Sequence, residues 1–212
     1  MKIDRAGFPF ITAALAPALG LAIARRYRWA TGFGLLGGFF AYFFRDPERH
    51  VPQGNGLVVS PADGRIMIAG SSDGRWSPPG DWKQVTIFLS PLDVHINRSP
   101  VAGRVTRIDY RPGKFLPAFH EASSDNELNE IWIDAQGRTV VFRQVVGVLA
   151  RRIVCRVSVG DELERGQRVG LMKFGSRMDV FVPSDAELEV QVGQRVIGGE
   201  TVLARLGNGS AQ

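Results

Sequence analysis

The chain has 212 residues, 44% of them hydrophobic and 22% charged, with a formal net charge of +5. That length suits one good-sized domain or a domain with an appendage, and the balance is that of a globular protein. Cys155 is the only cysteine, which excludes an intrachain disulfide and a cysteine-rich metal site. The histidines His50, His95 and His120 are scattered without metal-ligand spacing, so no metal is expected.

The location of the charge matters more than its size. Residues 1–50 hold seven Lys/Arg against three Asp/Glu, and residues 51–212 hold nineteen against eighteen. The basic excess therefore flanks the most apolar part of the chain. It does not mark a folded face with interleaved aromatics, so it points to an anionic membrane surface and away from nucleic acid.

Two apolar runs open the chain, "FPFITAALAPALGLAIA" (8–24) and "WATGFGLLGGFFAYFF" (29–44), separated by "RRYR" and closed by "RDPER". As helices they reach about 24–26 Å, short of a hydrocarbon core of about 30 Å. Pro9, Pro17 and the glycines 32, 34, 37 and 38 weaken straight helices further. The second run argues against a cleaved signal peptide. Two full spans would put "RRYR" outside if the rest is cytoplasmic, against the positive-inside tendency. Residues 1–50 are therefore expected to form a hydrophobic, helical anchor whose arginines snorkel to headgroups. The protein is expected at the cell membrane, peripheral or monotopic, with its catalytic part on the cytoplasmic side. A buried helical hairpin of a soluble protein is the bland alternative.

From Gly56 onward short β-type runs alternate with turn residues: "LVVS", "RIMIAG", "WKQVTIFLS", "GRVTRIDY", "EIWIDAQGRTVVFRQVVG", "RRIVCRVSVG", "VGLMKFG", "MDVFVP", "AELEVQVG" and "TVLARL". The one stretch with a weak helical pattern lies near 117–130. "VGDELERGQRVGLMKF" and "VQVGQRVIGGETVLARL" echo each other in a Val-Gly-x-x-Val unit near a turn. The fold expected for residues 51–212 is mainly β, a barrel-sandwich-like domain of the kind found in biotinyl and lipoyl carriers.

Four stretches offer chemistry. In "SPADGRI" (60–66) Asp63 and Gly64 form a turn pair, and Asp63 as a functional carboxylate needs a partner. "IFLSPLDVHINRSP" (87–100) supplies one: Asp93 and His95 are two apart and share a face of an extended chain, and His95 is a natural proton shuttle. An Asp63–His95 pair would orient the imidazole as a base. In "GLMKFGSRMDVFVP" (170–183) the Gly175-Ser176 junction joins two strand-like runs. It reads as an ordinary turn, as a carrier hairpin modified on Lys173, or as a bond the protein breaks. In the third case the Ser176 hydroxyl attacks the preceding carbonyl to give an ester. β-Elimination and hydrolysis then leave a pyruvoyl group on the downstream fragment, and Gly175 gives the bond room to distort. The fourth stretch, "PGKFLPAFHEASSDNELNEIWI" (112–133), offers His120 and the cluster Asn126, Glu127, Leu128 and Asn129 as lining groups of a pocket.

"FFRDPERHVP" (43–52), "VSPADGRI" (59–66), "FLSPLDVHINRSP" (88–100), "SSDNELN" (123–129) and "KFGSRMDVFVP" (173–183) stand in the order found in the phosphatidylserine decarboxylase family, and the chain resembles its short form. The resemblance implies a carboxy-lyase proenzyme that cleaves itself between Gly175 and Ser176. The membrane-bound large chain, 1–175, and the small chain, 176–212, would stay together. Ser176 would become the covalent pyruvoyl cofactor and form a Schiff base with the amine of phosphatidylserine. Loss of CO2 would then lead to phosphatidylethanolamine, a step of phospholipid biosynthesis. In one place the chain departs from the pattern. Longer members carry His-x-x-His after "SP-x-D", whereas here His95 is followed by Arg98 in the second position. Asp63, His95 and Ser176 carry over, and Arg98 is a candidate donor to a substrate phosphate or carboxylate. A biotinyl- or lipoyl-like carrier and a non-catalytic membrane-anchored β-domain are the rival readings.

Overall fold

The computed structural model of the chain describes residues 2–74, 77–113, 126–147, 153–173 and 176–207. It divides into two compact units, Met1–Glu48 and Arg49–Gln212.

In the first unit β1 (Lys2–Ile3) pairs antiparallel with β2 (Arg45–Asp46), and α1 (Phe8–Ile23) and α2 (Tyr27–Phe43) run between them. The prolines and glycines do not break these helices. Pro9 stands at the start of α1, where a missing N–H costs nothing, and Pro17 is carried inside the helix. Gly37 is where the two helices meet, since a Cβ there would lie 2.5 Å from Leu15 Cδ2. Phe10 stacks on Phe44 with ring centroids 5.3 Å apart. The hairpin nevertheless leaves Phe8, Leu19, Ile23, Tyr27, Trp29 and Leu35 exposed. A hairpin apolar on its outer surface suits lipid better than water. Arg5–Ile23, 19 residues, is long and apolar enough to cross a membrane.

The second unit is built from antiparallel pairs and is mainly β, as the turn-punctuated pattern predicts. Its strands are β3 (Leu57–Val59), β4 (Gly64–Ser71), β5 (Trp82–Leu89), β6 (Ile96–Arg98), β7 (Gly103–Arg111), β8 (Leu128–Ala135), β9 (Arg138–Val146), β10 (Ile153–Cys155), β11 (Glu162–Leu163), β12 (Arg168–Met172), β13 (Ser176–Pro183), β14 (Glu187–Leu188), β15 (Arg195–Val196) and β16 (Val202–Arg205). Eight of them form a half-barrel sheet in the order β11-β7-β8-β9-β13-β5-β4-β15. Two three-stranded sheets, β10-β12-β6 and β14-β16-β3, accompany it.

Period-two alternation builds the core. Val85, Ile87 and Leu89 of β5, Val140 and Phe142 of β9, Ile131 and Ile133 of β8, and Met178, Val180 and Val182 of β13 share one cluster and are almost fully buried. Residues 126–130, at the end of the stretch with weak helical pattern, extend instead into β8, because Leu128, Glu130 and Trp132 alternate with Asn129, Ile131 and Ile133 across the two faces. The sequence echo has a structural counterpart. Gly166 and Gly193 both have positive φ and open "GQRV" turns. In each turn the glutamine side chain closes the loop, Gln167 Oε1 accepting from Glu164 N–H and Gln194 Oε1 from Gln191 N–H.

Candidate active site

Ser176 is the first residue of β13, a strand inside the large sheet rather than at its edge. It lies opposite Leu89 on one side and Val146 on the other. Its side chain shares the core face with Met178, Val180 and Val182, and it is 0% exposed. Among the described residues its Oγ has no hydrogen-bond partner. A buried hydroxyl without a partner costs stability, so its retention calls for a chemical reason. Upstream, Met172 ends β12 in a different sheet, and its N–H donates to the carbonyl of His95 at 3.3 Å. Met172 and Ser176 therefore stand in different sheets. Gly175, between them, lies outside the described residues, as does His120.

His95 is buried, with its Nδ1 2.9 Å from the backbone carbonyl of Asp93. A carbonyl only accepts, so Nδ1 carries the proton of the neutral ring and Nε2 is the basic nitrogen. The Asp93 carboxylate does other work: it accepts from Ser90 N–H at 2.8 Å and pairs with Arg195, fixing the loop that carries His95.

Asp63 does not form the expected pair with His95. Its two oxygens accept from Arg49 Nη2 at 2.9 and 2.7 Å, and Oδ1 also accepts from Gly198 N–H at 2.7 Å. The imidazole meets the carbonyl of Asp93 in its own loop instead. A Cβ at Gly198 would lie 3.0 Å from Ala62 backbone atoms, and one at Gly199, where φ is +81°, 3.0 Å from Arg98 Cδ. The two glycines thus let the 198–199 turn close onto the Asp63 turn. Arg98 is buried, and its Nη1 donates to the carbonyl of Gly166 at 2.9 Å, while its backbone N–H donates to Pro61.

Asn126 and Glu127 both hold Val146, the register partner of Ser176. Asn126 Nδ2 donates to the Val146 carbonyl at 2.8 Å, and Val146 N–H donates to the Glu127 carbonyl at 3.1 Å. The Glu127 carboxylate faces Tyr110, whose hydroxyl pKa is raised first by desolvation and then by that carboxylate. Lys173 follows the fully buried Met172 and is itself half-buried, unlike the exposed turn lysine of a carrier.

Sequence reasoning missed Arg49, Arg195, Asn97 and Gln144, and gave Asn129 only as a lining candidate beside Asn126 and Glu127. Arg49 and Arg195 fix the two acidic turns from distant parts of the chain. The other three form a buried amide chain, with Asn129 Nδ2 donating to Gln144 Oε1 at 3.0 Å and Gln144 Nε2 to Asn97 Oδ1 at 2.8 Å. Asn97 had one signal, its place two residues after His95 on the same face. A cavity of about 880 Å³ lined by Val51, Leu57, Arg138 and Arg165 includes none of these groups.

A β-domain with a buried serine between two sheets, and a histidine on the neighbouring loop, offers a candidate site for serine-based chemistry inside a core. The family model for phosphatidylserine decarboxylase matches residues 36–204. The chain is 48% identical to the phosphatidylserine decarboxylase proenzyme of Symbiobacterium thermophilum over 208 residues, 96% of this chain and 95% of that one. It is 44% identical to the proenzyme of Chlorobaculum tepidum, covering 93% and 89% of the two chains, and 44% identical to that of Mycolicibacterium smegmatis, covering 95% and 88%. The chain belongs to the phosphatidylserine decarboxylase family.

Proposed function

We propose that this chain decarboxylates phosphatidylserine to phosphatidylethanolamine, in phospholipid biosynthesis, with a pyruvoyl group made from its own Ser176. The observation that carries the reading is the buried Ser176 Oγ, unpartnered at the start of β13. In maturation the Ser176 hydroxyl adds to the carbonyl of residue 175, the C–N bond breaks, and an ester forms. Elimination across Cα–Cβ of Ser176 expels the upstream chain as a carboxylate, and water then releases ammonia. The carbonyl group so formed supplies an electron sink for the pair left behind by CO2. His95 Nε2 is proposed to move the protons of maturation, decarboxylation or both. Asp63 holds the 198–199 turn, and with it the downstream chain, against the SPADG turn.

The two chains stay paired because β13 keeps β5 on one side and β9 on the other. The apolar hairpin attaches the enzyme to the bilayer that carries its substrate, with the catalytic unit on the cytoplasmic side, as the arginines flanking the hairpin favour. Intact mass on the expressed protein tests the central claim. Two chains meeting at 175/176, the smaller lighter by one ammonia than a simply hydrolysed fragment, are expected. Ser176→Ala should stay one chain and release no CO2. Splitting of Ser176→Ala at that bond would overturn the reading.

A further inference from the structure

His95 and Asn97 lie two residues apart on an extended chain, so they share a face. The hydrogen bond from Gln144 fixes which face: Asn97 looks across to β9, the strand beside β13. Gln144 is opposite Met178, and Val146 is opposite Ser176. Gln144 and Ser176 are therefore diagonal neighbours on the core face, about 7–8 Å apart for such pairs. Asn97, Gln144, Asn129, His95 and Ser176 are all at most 3% exposed. They form a polar island at one end of an otherwise apolar core.

The amide chain has a direction. Asn129 donates to Gln144 and Gln144 donates to Asn97, so both acceptor oxygens along it are used. Among the described residues Asn97 Nδ2 is left buried with no partner, a second orphaned polar atom in the neighbourhood of Ser176. Buried donors are kept unsatisfied where a ligand satisfies them.

We infer that Asn97 is a substrate-binding residue: its amide N–H takes the carboxylate of the serine headgroup, braced from behind by Gln144 and Asn129. This rests on the assignment of the reacting carbonyl to Ser176. The carboxylate and the amine of phosphatidylserine share one carbon, so a group that grips the carboxylate must stand beside the atom the amine attacks. The lipid phosphate is further out along the headgroup. A neutral donor also suits the reaction. The carboxylate loses its charge as CO2 leaves, so an arginine clamp would stabilise the ground state more than the transition state. An amide orients the group in a site stripped of water without that penalty. Arg98, the nearest arginine in sequence, instead serves the Gly166 carbonyl.

Asn97→Asp keeps the shape and the acceptor for Gln144 while replacing the donor with a negative charge. In the full-length protein in mixed micelles, it should raise KM for phosphatidylserine by about tenfold or more, the scale of losing one good polar contact and gaining a repulsion. Inhibition by the product phosphatidylethanolamine, which has no carboxylate, should change by less than about threefold, because that contact is absent from it. A parallel change in both, or no change in either, would overturn the assignment. Should Asn97→Asp arrest splitting, Gln144→Met removes the brace while keeping Asn97. The same comparison then applies to it: a selective rise in KM supports the role of Asn97, and a parallel or absent change overturns it. Mass measured on each sample separates the two levels. An unsplit parent chain overturns the Ser176 reading itself, whereas a split parent with parallel effects overturns only the role of Asn97.

Discussion

Arg49, Asp63 and Gly198 show how little of a site residue's role lies in its own identity. Asp63 is half-buried between a guanidinium whose side chain is 11% exposed and a backbone N–H. Asp63→Ala leaves both donors without their partner, a loss of about 1–3 kcal/mol. Measured in the unsplit Ser176→Ala background, that loss should appear as a lower Tm. An unchanged Tm there would assign Asp63 to chemistry alone. Arg138 and Asp185 add a pH-dependent clasp. The Arg138 hydrogen bond holds the Asp185 carboxyl below its ordinary value of 3.8, despite partial desolvation. A depressed folded-state pKa gives stability that is present above the unfolded value and is lost as pH falls through the folded one. Asp185→Asn should therefore be slightly less stable than the parent at pH 7, with the gap closing below pH 4, as denaturant midpoints across pH would show. The pair is exposed, so the effect is small.

Ser176, His95 and Asp63 were legible because each sits in a turn-bounded motif of unusual composition. Asn97 and Gln144 were not, because each looks like an ordinary polar strand residue, and Asn129 stood out only as one member of a polar cluster. Their meaning arises only when β6, β8 and β9 come together, and 15 and 47 residues separate the bonded partners.

At the scale of elements, hydrophobic periodicity gave the strands and the apolar helices, but two local features escaped it. The register of β4 against β5 shifts between Ile66 and Ile68. That bulge turns Met67 and Ile68 both outward, at 42% and 45% exposed, so "RIMIAG" is not the simple alternating strand it resembles. In the N-terminal hairpin, one glycine that would weaken an isolated helix, Gly37, serves the contact between two. Gly37→Leu would drive a side chain into Leu15, which a Cβ already approaches to 2.5 Å. We expect it to open the hairpin, with loss of helicity by circular dichroism in detergent, while Gly38→Leu, with open space around it, keeps the fold. Equal behaviour of the two would refute the close packing. In the sheet, Ile87→Ala empties a fully buried position at a cost of about 2–5 kcal/mol.

For the whole molecule, the strand order β9-β13-β5 could not be read from the chain, because it inserts a late strand between two early ones. If the chain splits at 175/176 as proposed, that insertion decides what the split does. The downstream chain carries β13 and β15 of the large sheet and β14 and β16 of a small one. Once separated by denaturant, the two chains need each other to refold. Refolding of the split protein should therefore depend on concentration, while Ser176→Ala refolds independently of it. Concentration-independent recovery of the split form would contradict this.

Placing Ser176 at the head of an interior strand also limits how far its side chain can travel. A lipoyl or biotinyl arm works by reach, carrying a group between distant centres on a long flexible tether. On the proposed reading, a carbonyl at the first residue of β13 would have no tether, and ladders on both flanks would hold it nearly as still as the sheet itself. The moving partner must then be the lipid. Its headgroup has to leave the company of its neighbours in the bilayer and come to a stationary reagent, so headgroup extraction, rather than any swing of the protein, is the step to look for when turnover is slow.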